Sequence, residues 1–209
     1  MTPALPPNST IGIVGGGQLG RMSALAAARL GYRCHILSPE PDSPAAQVSA
    51  AHTLGDYEDP AALRRFAEAV DVITFEFENV SAAGLDLLAA LRPVRPSPAV
   101  LRISQDRVAE KSFLRDAGVP TAPWREVDAL GSLQDAVHGL GLPAVLKTTR
   151  LGYDGKGQAV LRDPSDIGPA WDGLEPKPLI LERFIDYACE VSVVVARGLD
   201  GGGSLFDVV

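Results

Sequence analysis

Apolar residues in the first hundred positions fall into short blocks separated by alanine-rich stretches. "TIGIV", residues 10–14, is a continuous apolar run, as expected of a strand covered on both faces. A glycine turn follows it. Next comes an alanine-rich helix, predicted from about Gln18 to Leu30 and stopped by Gly31, and then a second strand. "PAALRRFAEAV" predicts a helix opened by Pro60 behind Asp59. "DVITFEFENV" predicts a strand, "AAGLDLLAAL" a helix, and "RPVRPSPAV" reads as proline punctuation. Strands alternating with helices predict a parallel sheet.

The pattern changes after about Ser104. "SQDRVAEKSFLRDAGVP" predicts one capped helix ending at Gly118 and Pro120. "PAVLKTT", a glycine loop, "QAVLRD", "PLILERFI" and "EVSVVVAR" then read as short strands with hairpin-like connections. The fold expectation is an α/β, Rossmann-like parallel-sheet domain over 1–105 and an α+β region over 106–209. No internal repeat or low-complexity tract breaks this division.

Composition narrows the function classes. The 209 residues are 46% hydrophobic and 22% charged, within the globular range. A net charge of -7 argues against nucleic acid or a membrane surface as partner, while leaving a small anionic ligand open to a locally positive site. Cys34 and Cys189 each lie in an apolar run, read as buried reduced thiols, and have no metal-ligand spacing. No apolar run approaches about 18 residues, the length that spans a bilayer. "MTPALPPNST" lacks the apolar segment of a secretory signal, so the expected location is cytoplasmic.

Two glycine loops carry candidate chemistry. Gly15, Gly17 and Gly20 form G-x-G-x-x-G between a strand and a helix, the context of a dinucleotide fingerprint. That reading also asks for an acid at the end of the second strand, where Ser38 stands. Three alternatives stay open: a nicotinamide cofactor, the phosphate of another ligand, or a tight turn that seats the helix. The second loop, "KTTRLGYDGKGQ" at 147–158, carries Gly152, Gly155 and Gly157 and is followed by a strand, so it is not a Walker A loop. A glycine hairpin of this kind suits a lid whose amides fold over phosphate oxygens. Lys147 and Lys156 would neutralise charge there, unless the loop is merely a surface hairpin.

Four carboxylates extend this reading. Glu182 ends the run "PLIL", where the backbone of Arg183, Phe184 and Ile185 could meet an adenine edge. Glu190 opens "EVSVVV" and could take ribose hydroxyls. Either could equally be a solvated strand-end acid. Glu76 alternates with Glu78 in "TFEFEN", which puts both on one strand face near the C-terminal end of the sheet. Such a pair suits ribose hydroxyls, an amine, or plain solvent. His35, His52 and His138 form no pattern.

"GIVGGGQLGRM", "TFEFENV", "DRVAEKSFL", "GVPTAPW", "LKTTRLGYDGKGQ" and "CEVSVVVAR" occur in this order. Together they resemble the 5-(carboxyamino)imidazole ribonucleotide synthases of bacterial purine biosynthesis, which are ATP-grasp ligases. "GGGQLGRM" with "EFENV" is specific to that family, whereas "GYDGKGQ" is shared with other ATP-grasp enzymes. The resemblance runs from about Thr10 to the end. It implies a preATP-grasp domain followed by the lid lobe of an ATP-grasp domain, with ATP and magnesium as cofactors. In that family bicarbonate is phosphorylated to carboxyphosphate and its carboxyl passes to the amine of 5-aminoimidazole ribonucleotide.

By the same resemblance Arg107, Lys147, Gly152 to Gln158, Glu182 to Ile185, and Glu190 contact the nucleotide. Within the loop these are Gly152, Tyr153, Asp154, Gly155, Lys156, Gly157 and Gln158. Tyr153 and Asp154 face the bicarbonate and ribonucleotide as catalytic residues. Gln18, Leu19 and, more weakly, Glu76 approach the ribonucleotide. The family's magnesium ligands and substrate-phosphate residues lie beyond position 209, so no metal ligand is assigned. The chain is expected to be an inactive fragment truncated at its C-terminus. A homodimer is implied by the family alone. The competing expectations are a non-catalytic nucleotide-binding fragment or another ATP-grasp carboxylate-amine ligase.

Overall fold

In a computed structural model, residues 4–152, 156–175 and 178–209 are described. The first half builds β1 (Thr10–Val14), α1 (Gln18–Arg29), β2 (Arg33–Ser38), β3 (Ala51–Leu54), α2 (Pro60–Glu68), β4 (Val72–Phe75), α3 (Ala82–Ala89) and α4 (Pro98–Ser104). Its four strands run parallel in the order β3-β2-β1-β4. β1 is central, and successive side chains on it serve opposite faces. Ile13 packs with Ala24 of α1, Cys34 and Ile36. Val14 joins Leu37, Ile73, Phe66 of α2, and Leu85 and Leu88 of α3. Covering on both faces explains why β1 reads as an unbroken apolar run.

Helix starts follow the caps. Asp59 accepts from the Ala61 amide at 2.9 Å, with Pro60 in the first turn. Ser81 accepts from Gly84 at 3.2 Å. Such caps contribute about 1 kcal/mol each. "RPVRPSPAV" corrects the sequence reading in part: Pro98 opens α4 behind Ser97 rather than only breaking structure. Proline at a first-turn position lacks only a hydrogen that would be unpaired there anyway. The expected strand 71–80 also shortens to Val72–Phe75.

The second half builds α5 (Arg107–Asp116), β5 (Trp124–Val127), α6 (Leu130–Leu140), β6 (Ala144–Thr148), β7 (Gln158–Leu161), α7 (Ile167–Gly173), β8 (Leu179–Arg183), β9 (Val195–Arg197) and β10 (Gly203–Leu205). An antiparallel sheet, β5-β8-β6-β7, carries α6 and α7 on one face. Leu146, Leu161, Leu179 and Leu181 point into that covered face with Leu133 and Val137. By the period-two rule Val145, Lys147, Gln158, Val160, Ile180 and Glu182 share the opposite face. Asp106 caps α5 through the amides of Val108 and Ala109, at 2.9 and 3.0 Å.

Two expectations fail near the end of the chain. "EVSVVVAR" does not form one strand. Only Val195–Arg197 is strand, paired with Gly203–Leu205, and Glu190 lies outside it. Backbone pairing continues in isolated bonds such as Ser192 to Val209 at 2.8 Å, while Val191, Val193 and Val194 remain exposed. An apolar run becomes a core strand only when another layer covers it, and no described residue covers this one. Cys189 is accordingly exposed rather than buried, whereas Cys34 is buried and burial pushes its thiol pKa up.

Candidate nucleotide site

The uncovered face of the second sheet opens into a cleft of about 440 Å³. Val145, Lys147, Gln158 and Val160 line one side, and Glu182, Phe184, Ile185, Tyr187 and Glu190 line the other. Because β6 pairs Val145 with Glu182, Lys147 is the diagonal neighbour of Glu182 on the same face. Lys147 Nζ lies 3.1 Å from Glu182 Oε2. The other oxygen, Oε1, is 3.5 Å from Lys111 Nζ, which arrives from α5. The Glu182 side chain is only 11% exposed, so it is not the solvated strand-end acid that local sequence also allowed. Lys147 points at this carboxylate, not directly at the glycine loop.

Arg107, one turn before Lys111 on α5, anchors the loop. Its Nη1 donates to Thr148 O at 2.9 Å and its Nη2 to Gly152 O at 2.7 Å. The Arg107 amide donates to Thr149 O at 2.9 Å. Gly157 has φ +70°, and a Cβ there would sit 2.8 Å from Thr148 Oγ1. This glycine is therefore required by the backbone itself, whatever the loop binds. Gln158 pairs with Lys147 across the hairpin, and Lys156 is exposed just before it. Tyr153, Asp154 and Gly155 lie outside the described residues.

Beyond β8 the expected adenine-reading backbone is partly engaged within the fold. The Arg183 amide donates to Pro123 O at 2.9 Å, and that of Phe184 to Pro143 O at 3.1 Å. Phe184 and Ile185 are themselves exposed on the cleft wall. Tyr187, which the sequence reading passed over, donates to Glu190 Oε1 at 2.9 Å. That bond to the carboxylate and its charge push the Tyr187 hydroxyl pKa up.

The first glycine turn is differently occupied. Glu76 follows β4 directly, and its Oε1 accepts from the Gly17 amide at 2.6 Å. Its Oε2 accepts from the Gly20 amide. A Cβ on Gly17 or Gly20 would lie 2.9 Å from those oxygens. The N-terminus of α1, where a phosphate would seat, thus already holds an internal carboxylate. Ser38, in the place of the ribose-binding acid, is fully buried and bonded to Ser43 and His52. Both findings count against a nicotinamide dinucleotide.

A second cavity of about 530 Å³ lies beside this turn, lined by Gly16, Gly17, Glu40, Asp42, Tyr57, Glu76 and others. It sits where the strand order reverses between β2 and β4 around β1, a general ligand position. Burial, with the charges of Glu40, Glu76 and Asp56, pushes the Tyr57 pKa up to about 12. Three acids, Glu40, Asp42 and Glu76, line the cavity. Gln18 and Leu19 stand exposed on the first turn of α1. Glu78, expected to share a face with Glu76, is exposed outside β4. Among the described residues no group of three or more His, Cys, Asp or Glu side chains is placed to hold a metal ion.

Lys111 and Tyr187 are the residues that the sequence reading missed. Lys111 follows Arg107 by four positions on a helix, a spacing that puts both on one face. That signal was available, but only tertiary structure shows which face meets Glu182.

The chain thus sets a parallel-sheet lobe before an antiparallel one, and the open face of the second holds a lysine-lined cleft beside a glycine loop. Residues 8–105 match the model of the ribonucleotide synthetase preATP-grasp domain, and residues 112–209 match that of the ATP-grasp domain. The N5-carboxyaminoimidazole ribonucleotide synthase of Brucella melitensis is 50% identical over 98% of this chain and 57% of its own length. A solved ADP complex of an N5-carboxyaminoimidazole ribonucleotide synthetase superimposes with TM-score 0.94 at 41% identity, covering 100% of this chain and 55% of that one. An Aspergillus clavatus synthase, solved with ADP and 5-aminoimidazole ribonucleotide, gives 0.87 at 30% identity, over 96% of this chain and 53% of that one. The chain therefore joins a ribonucleotide synthetase preATP-grasp domain to an ATP-grasp domain, and over nearly its whole length it is similar to N5-carboxyaminoimidazole ribonucleotide synthases. It spans about half the length of the relatives it matches. No described helix is long and apolar enough to cross a membrane.

Proposed function

We propose that this chain carries the nucleotide-binding lobe of a cytoplasmic ligase that couples ATP cleavage to carboxylation of 5-aminoimidazole ribonucleotide. The observation that carries the reading is the Lys147–Glu182 pair in a cleft beside an Arg107-anchored glycine loop. Lys147 meets the phosphates, the loop of Gly152 to Gln158 folds over them, and Glu190 takes the ribose. With the Arg183 and Phe184 amides engaged elsewhere, the adenine edge falls to the Ile185 backbone.

In this reaction a bicarbonate oxygen attacks the γ-phosphorus, and the bond to the bridging β,γ-oxygen breaks, giving carboxyphosphate and ADP. The carboxyl carbon then passes to the substrate amine, releasing phosphate and a proton. Tyr153 and Asp154 are assigned to the junction of the two substrates. The acidic cavity beside Glu76 suits the amine and hydroxyls of the ribonucleotide, reached past Gln18 and Leu19. It does not suit the ribonucleotide's phosphate. Bound magnesium would neutralise charge on the phosphates. We assign its ligands to the part of the relatives that this chain does not span. The assembly is taken to be a homodimer, which sedimentation of a full-length protein checks.

The test is calorimetric titration of the 209-residue chain with ADP and, separately, with NAD. ADP binding without NAD binding supports the reading. NAD binding at Gly15–Gly20 overturns it.

A further inference from the structure

Glu182 is a buried carboxylate shared by two ammonium groups. Lys147 stands on the cleft wall, 25% exposed, while Lys111 reaches Glu182 from α5 with 13% of its side chain exposed. In the proposed function Lys147 turns towards phosphate oxygens when nucleotide enters. Removing one partner from a buried ion pair leaves a charge without compensation, which is strongly unfavourable. A single lysine would therefore have to choose between Glu182 and the nucleotide.

We infer that Lys111 is a positioning residue: it holds the Glu182 carboxylate when Lys147 leaves it for the phosphates. The inference rests on the nucleotide reading of this cleft. Three features of the structure support it. Lys111 pairs with Oε1, the oxygen that Lys147 does not use. Its helix is fixed at its first residue by Arg107, whose guanidinium donates to Thr148 and Gly152 at the root of the glycine loop. Arg107 and Lys111 are four residues apart, on one helix face. One rigid turn of α5 thus sets the loop's root and the counter-ion of Glu182 together. When Lys147 moves, the carboxylate stays neutralised and held on the floor of the cleft.

Calorimetric titration with ADP tests this on the wild-type chain, Lys111→Met, Lys111→Arg, Glu182→Gln, the Lys111→Met/Glu182→Gln double variant and Lys147→Met. Far-UV circular dichroism and thermal melts are recorded for each. Lys111→Met should weaken ADP about tenfold, the scale of coupling within one charge network. In the Glu182→Gln background, where no buried carboxylate needs a counter-ion, the same change should cost less than about twofold. Lys111→Arg should recover most of the affinity.

Equal losses in both backgrounds, or no loss in either, overturn the inference while leaving the nucleotide reading intact. If Lys111→Met fails to fold, Lys111→Gln takes its place in both backgrounds and the same criterion decides. Lys147→Met binding ADP like wild type, or no ADP binding by wild type, overturns the nucleotide reading itself and this inference with it.

Discussion

The carboxylate of Glu76 caps the glycine turn from across the sheet, 2.6 Å from the Gly17 amide. β4 pairs in parallel with β1, so the residue after Phe75 emerges beside the turn after Val14. The α1 N-terminus therefore receives its negative charge from the protein's own chain. Glu76→Ala should destabilise the fold by about 1–3 kcal/mol, the cost of buried donors left without a partner. It should also open an anion cradle. Inorganic phosphate should raise the melting temperature of Glu76→Ala clearly more than that of the wild type. Equal shifts in both proteins would show that the turn is not anion-selective.

Arg107 ties α5 to the loop root through Thr148 O and Gly152 O. Losing these charge-assisted bonds should cost about 1.5–3 kcal/mol each at most, less where water replaces them. Hydrogen exchange of Arg107→Ala should quicken around the loop root and leave β1 and β2 unchanged. Uniform acceleration through both sheets would instead mean global destabilisation.

Lys147→Met in a full-length protein should raise the apparent KM for ATP about ten- to hundredfold, from a loss of about 1.5–3 kcal/mol. The KM for aminoimidazole ribonucleotide should change little, because that ligand is assigned to Gln18, Leu19, Glu76, Tyr153 and Asp154. Steady-state kinetics in both substrates check this. The reverse pattern removes Lys147 from the nucleotide site.

His35 is buried, donates to or accepts from Thr53 Oγ1 at 2.8 Å, and packs edge-on against Phe66. Burial first, then the charge of nearby His52, lowers its pKa below the ordinary 6.5. The unfolded chain then binds the proton more readily than the folded one. The stability due to neutral His35 is complete above pH 6.5 and declines as the pH falls below it. Urea denaturation from pH 7.5 to 5 should show this slope, and His35→Gln should flatten it. An unchanged slope in the variant assigns the effect to other groups.

The 209-residue chain is expected to show no bicarbonate-dependent release of phosphate from ATP, since phosphoryl transfer relies on metal ions bridging the phosphates. A coupled phosphate assay with bicarbonate and aminoimidazole ribonucleotide checks it. Turnover above about 1 per second, within the usual enzyme range, would falsify it.

Local chemistry determined much of this protein. The unbroken run Thr10–Val14, the cap at Asp59 with Pro60, and the helix behind Asp106 depend on periodicity and backbone hydrogen bonds a few residues apart, so they are legible in order along the chain. Lys147 and Glu182 were legible as candidates because each ends a short apolar run. Their pairing, and the arrival of Lys111, were not. Three residues separated by 36 and 35 positions meet only because β8 pairs with β6 and α5 packs beside them. Glu76 shows the same limit: its alternation with Glu78 suggested two carboxylates facing a ligand, yet only the β1–β4 register decides that its oxygens close on Gly17 and Gly20. The valines from 191 to 195 mark the limit from the other side. Sequence shows that a segment is apolar, but whether it becomes a buried strand depends on what the rest of the fold lays against it.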